Sequence, residues 1–136
     1  MPPDARRHAD TLSWFKKAHK DLRCAQIDVA ADPPAPDDAL YHCQQAAEKA
    51  LKGFLVWYDQ PFSKTHDLGK LGRHAVDLDQ SLEPLIEEVV EFTKYAWIFR
   101  YPGEADEPTV VEAVAVLHRA RAFVEAILMR LPQEAR

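Results

Sequence analysis

The chain is poor in glycine and cysteine and has no long apolar run, and each shortage removes a class of protein. Only four glycines in 136 residues, with few clustered β-branched residues, leave little room for sheet. The two cysteines, Cys24 and Cys43, lack metal-ligand spacing and sit in helical patterns, so they read as core thiols in a reducing cytoplasm. No stretch reaches the length of a membrane span, and the opening "MPPDARRHAD" lacks the apolar core of a secretion signal. A formal charge of -5 argues against a broad electrostatic grip on duplex DNA or RNA. Lysines and arginines are unevenly spread, however, so local basic patches remain open.

The familiar chemical signatures are missing too. There is no phosphate loop, no dinucleotide fingerprint and no His-Glu-x-x-His zinc motif. His8, His19, His42, His66, His74 and His118 show no ligand spacing with the cysteines. These patterns therefore give no reason to expect a metal or a cofactor.

What is present is the balance of an ordinary globular protein, 47% hydrophobic and 29% charged, read as a single domain over 1–136. Prolines punctuate it at Pro33, Pro34 and Pro36, then at Pro61, Pro102, Pro108 and Pro132. Between them the apolar residues recur at helical steps. A first helix is expected from about Ala9 to Ala31, with Trp14, Ala18, Leu22, Ala25 and Val29 on one stripe. A second runs from about Ala39 to Tyr58, capped by Asp37 or Asp38, with Cys43, Ala47, Ala50, Phe54 and Trp57 inward. Phe62 anchors the following turn. Thr65 is the expected cap of a short helix from His66 to about Val76, weakened by Gly69 and Gly72.

Ser81 opens a fourth helix ending near Arg100, because helices rarely continue into the residue before a proline. Its inward stripe would be Leu85, Val89, Thr93, Trp97 and Arg100. The last helix begins at Thr109, which has capping-box spacing with Glu112, or at Asp106 with Pro108 just inside. It carries Val110, Val114, Leu117, Arg121, Val124, Leu128 and Leu131 along a nearly heptad stripe. Four long helices and one short one form an all-α, antiparallel up-and-down bundle.

Three polar groupings stand out. In "YHCQQAAEKALKGFL", Gln45, Glu48, Lys49 and Lys52 share a face, and Glu48 and Lys52 have ion-pair spacing. The simplest reading is a solvated face; the alternative is a surface for a partner chain or an anionic ligand. In "SKTHDLGKL", His66 and Asp67 follow Thr65, which suits a helix start better than a pH-sensitive or ligand-contacting site. In "WIFRYPGE", Arg100 ends an apolar run. It either pairs with Glu104, Asp106 or Glu107, or points into a cleft with Tyr101 and Pro102 as a rigid wall. Its planar donors suit a phosphate.

Together "QQAAEKALKGFL", "THDL" and "RYP", with "WFKKAHKDLRCA" ahead of them, resemble the HEPN domain family over nearly the whole chain. That resemblance implies a helical bundle that pairs as a homodimer. It also implies a possible minimal nucleotidyltransferase partner, in some cases as a toxin–antitoxin pair. Ribonuclease members follow the arginine, after four to six residues, with a histidine, and cut RNA without metal. Here that window holds Ala105, Asp106 and Glu107, so the general acid–base group is missing.

The chain looks more like the nucleotide-binding branch. The resemblance makes Arg100 and Tyr101 the residues that contact a nucleotide or a partner, with Lys49, Lys52 and His66 as accessories and no catalytic residue. The alternative is a ribonuclease with an irregular site of Arg100 with His66 or His118.

Overall fold

The computed structural model describes residues 3–103 and 105–136, and among them the architecture is all-α with no strand. Helix α1 spans Pro3–Ala30 and begins six residues ahead of the expected Ala9. Its buried stripe is Phe15, Ala18, Leu22 and Ala25, while Trp14 and Val29 are half-buried at its edge.

Helix α2, Pro36–Trp57, returns against it. The expected Asp37 or Asp38 cap is replaced by Ala35 as the residue before the helix, with Pro36 in the first turn. Proline suits that position because its missing N–H is one of the orphan donors anyway. Ala39, Ala46, Ala47 and Ala50 are fully buried, and their small side chains let the two helices approach closely. The most extensive helix pairing among the described residues results.

Helix α3, Leu68–Leu78, starts two residues later than expected. Asp67 caps it by accepting from Lys70 N, while Thr65 Oγ1 accepts from Asp67 N just outside. Asp79 then caps a single 3₁₀ turn, Gln80–Leu82, which leads into α4, Glu83–Val89. At Gly72 a β-carbon would lie 2.4 Å from Ile86 Cγ2, so glycine here permits the α3–α4 contact.

The fourth helix is not the continuous Ser81–Arg100 rod that periodicity suggests. It tightens into a 3₁₀ segment over Val90–Ala96 and then ends in turns. Two causes act at the break. Val89 and Val90 are adjacent β-branched residues, which weaken an α-helix. Arg119, reaching across from the last helix, donates to the Glu88 carbonyl that an α-helix would use internally. Its guanidinium also bonds Glu91 Oε1 at 2.6 Å and lies 5.1 Å from the Phe92 ring centroid.

Helix α5, Val110–Leu128, is capped by Thr109, whose hydroxyl accepts from Glu112 N at 3.1 Å. Its inner face is Ala113, Val116, Leu117, Ala120, Phe123, Val124 and Ile127. Arg121 falls outside this face and is exposed, so the expected heptad stripe is one position out of register around it. The core lies between α1, α2 and α5, with α3 and α4 closing its remaining side. Among the described residues no helix is long and apolar enough to cross a membrane.

Candidate functional site

Arg100 is exposed and does not join the core stripe on which it was expected. Its guanidinium carbon sits 5.5 Å from the centroid of the Tyr41 ring, on the first turns of α2. Together with Asp37, Asp38, Tyr95 and Phe99, these two residues line a cleft of about 370 Å³. The Tyr95 and Phe99 rings stack with centroids 6.2 Å apart. Burial, then the charge of Glu91, raises the Tyr95 phenol above its ordinary pKa, so it stays protonated.

Arg100 forms no ion pair with Asp37, Asp38, Asp106 or Glu107 among the described residues. The expected Glu104 partner lies outside the described residues. Tyr101 and Pro102 do not line the cleft; Tyr101 is 63% exposed and is no wall to it.

Beside this cleft runs a chain of titratable groups. His42 Nδ1 bonds Asp21 Oδ1 at 2.8 Å, and Lys49 Nζ reaches Asp21 Oδ2 at 2.5 Å. On the other side His42 Nε2 lies 3.4 Å from Asp38 Oδ2. Ligand atoms of Asp28, Asp38 and His42 all fall within 4.8 Å of one another, a spacing that a cation or a shared proton would satisfy.

The shared proton is the better account. Burial first, then the hydrogen bond with Asp38, pushes the Asp28 carboxyl up to about 7. Asp28 Oδ2 is buried with no hydrogen-bond partner among the described residues, so a proton held on Asp28 spares the fold a buried, unsatisfied charge. The bond to Asp21 raises the His42 imidazole, against the opposing effect of burial.

Two turns further along α2 lies a second network. Glu48, only 4% exposed in its side chain, accepts from His66 Nδ1 at 2.7 Å, Lys52 Nζ at 3.1 Å and Gln44 Nε2 at 3.1 Å. Gln44 also donates to the His66 carbonyl at 3.1 Å, and Gln45 donates to Gln44 at 2.6 Å. The Lys52 ammonium stands 5.7 Å from the Trp14 ring centroid and 5.6 Å from that of Phe62. This overturns the solvated-face reading of Gln45, Glu48 and Lys52. Residue types common on wet helix faces are here buried and mutually satisfied, because the segment from Pro61 to Asp67 folds over them.

The structure therefore joins Lys52 and His66 through Glu48, ties Lys49 to Asp21, and leaves Arg100 apart with Tyr41. Neither His66 nor His118 lines the Arg100 cleft. Sequence reasoning missed Tyr41, Asp37 and Asp38 as cleft walls. The spacing of Asp37 and Tyr41, one helical turn apart, was the available signal. Cys43 is core, and burial drives its thiol up to about 12, beyond use as a nucleophile.

Comparison with known proteins adds a family. The HEPN domain profile matches residues 11–131. A crystal structure of TT1696 from Thermus thermophilus is similar, with 27% identity and a TM-score of 0.74. The match covers 89% of this chain and 98% of that one. A search of curated proteins returned no match.

Proposed function

The chain belongs to the HEPN domain family, and on that premise we propose that it is a non-catalytic member whose Arg100 cleft captures the anionic group of a nucleotide. The observation that carries this reading is an arginine spread over an aromatic ring at the mouth of a cleft, without a carboxylate partner among the described residues. A guanidinium so placed keeps its planar donors for two oxygens of a phosphate. The Tyr41 ring limits the side-chain freedom that binding would otherwise cost. Lys49, Lys52 and His66 serve at one remove, holding α2 and the segment before α3 in register.

A second reading, compatible with the first, concerns partners. Trp97 is 50% exposed and Tyr101 63% exposed, four residues apart beside the cleft. Large exposed aromatics are the residues that partner chains most often cover. We assign this surface to a homodimer contact or to a minimal nucleotidyltransferase partner, the arrangement of a toxin–antitoxin pair.

Thermal shift with nucleotides tests the first reading. A ligand at about one hundred times its dissociation constant adds about 2.7 kcal/mol to folding stability. That gain should vanish in Arg100→Ala, whose melting point without ligand should stay near wild type. No shift with any nucleotide would leave partner binding alone. The ribonuclease alternative has its own test: RNA cleavage that survives chelation and disappears in Arg100→Ala would replace the binding role with a catalytic one.

A further inference from the structure

The Arg100 cleft is lined by both signs of charge and by three aromatic rings, which is an unusual lining for a site that takes phosphate alone. Asp37 is half-buried in the first turn of α2 and makes no side-chain hydrogen bond or ion pair among the described residues. Arg100 borders the same cleft yet pairs with neither Asp37 nor Asp38. Opposite charges that share a cleft without closing on each other leave room for a ligand that is anionic at one end and a hydrogen-bond donor at the other. Asp38 is already occupied by His42 and by Asp28, so Asp37 is the available acceptor.

We propose that this cleft selects a guanine mononucleotide, with the Watson–Crick edge of the base on the Asp37 carboxylate and the phosphate on Arg100. The proposal rests on the reading of Arg100 as an anion site. An ionised carboxylate only accepts hydrogen bonds, so it favours a base edge that offers adjacent donors. Guanine presents N1–H and the 2-amino group side by side, matching both carboxylate oxygens. Adenine and cytosine set one amino donor next to a ring-nitrogen acceptor. Uracil places a single N–H between two carbonyls. Each of these opposes a lone pair to the carboxylate and leaves it partly unsatisfied.

Tyr41, Tyr95 and Phe99 provide the faces along which a flat base lies. At about 370 Å³ the cleft is at the small end of ligand sites, sized for one nucleotide. The acidic Asp37 and Asp38 also disfavour extra phosphates, so a monophosphate suits the site better than a triphosphate.

Isothermal titration of the full chain with GMP, IMP, AMP and ribose 5-phosphate tests this. IMP lacks only the 2-amino donor. GMP should bind about tenfold or more tighter than IMP or AMP, the discrimination expected of a bidentate pair. Asp37→Asn should bring GMP down to the level of IMP and leave ribose 5-phosphate unchanged, whereas Arg100→Ala should weaken all four. Circular dichroism and the melting point confirm that each variant is folded, and Asp77→Asn, at an exposed position of α3 outside the cleft, is the control that should keep the GMP preference. Equal affinity for GMP, IMP and AMP would overturn guanine selection while leaving the anion site standing. Failure of all four, ribose 5-phosphate included, would overturn both.

Discussion

Replacing Glu48 by leucine should be among the most damaging single changes to the buried polar network, and the geometry says why. The Glu48 carboxylate is 4% exposed, and the Lys52 side chain that it holds at 3.1 Å is 11% exposed. Removing one member of a buried ion pair leaves the other as an uncompensated charge, which costs about 3–5 kcal/mol. The expectation is a loss of about 3–5 kcal/mol, a sizeable share of the roughly 5–15 kcal/mol that holds a domain folded.

Urea denaturation should show that loss as a lower midpoint at unchanged slope. Lys52→Met combined with Glu48→Leu should recover most of it, because an apolar pair of similar volume is no worse than a buried ion pair. His66→Ala should cost less than about 1 kcal/mol, since the His66 side chain is 63% exposed and two donors to Glu48 remain. A Glu48→Leu loss below about 1 kcal/mol, or a double variant that loses the sum of the single ones, would refute the argument.

Two further predictions concern the other end of α2 and the α3–α4 contact. Asp28 sits near 7 in the fold against 3.8 for a free aspartate, so the folded chain binds a proton there that the unfolded chain has lost. Stability from this group therefore falls as pH rises from about 4 to 7, and the raised His42 adds a loss as pH climbs past 6.5. The melting point should be lower at pH 8.5 than at pH 6, and Asp28→Asn should flatten that slope; an unchanged slope in the variant would exclude Asp28 as its source. Gly72→Ala should destabilise by about 1–2 kcal/mol, the clash with Ile86 exceeding the gain in helix propensity. Gly69→Ala, whose nearest contacts would be 3.2 Å, should cost less, and equal melting points for the two variants would contradict the packing.

Much of the bundle was legible because α1, α2 and α5 bury alanines and large apolar residues at helical spacing, which is a local property of the chain. The capping of α5 by Thr109 was legible for the same reason. The cover over Glu48 was not. Gln44, Glu48 and Lys52 are the same residues whether water or the Pro61–Asp67 segment lies above them, and only the tertiary path of that segment decides. The Arg100 corner was legible as a place but not as a geometry, since Tyr41 and Asp37 come to it from a helix nearly sixty residues earlier.

The break in the fourth helix explains that failure and gives the corner its character. A 3₁₀ helix advances about 120° per residue against about 100° for an α-helix. Over the seven residues Val90–Ala96 the difference accumulates to about 140°. A position that periodicity assigns to the core is therefore carried round to the outside by the time the chain reaches Trp97 and Arg100. Phe92 and Ala96 take the buried places instead. Arg119 sustains the tightened segment from α5 by holding the Glu88 carbonyl, Glu91 and the Phe92 ring together. The awkward arginine at the end of an apolar run is thus not a buried charge in need of a partner. It is an exposed one, delivered to the Tyr41 ring by a change of helical pitch.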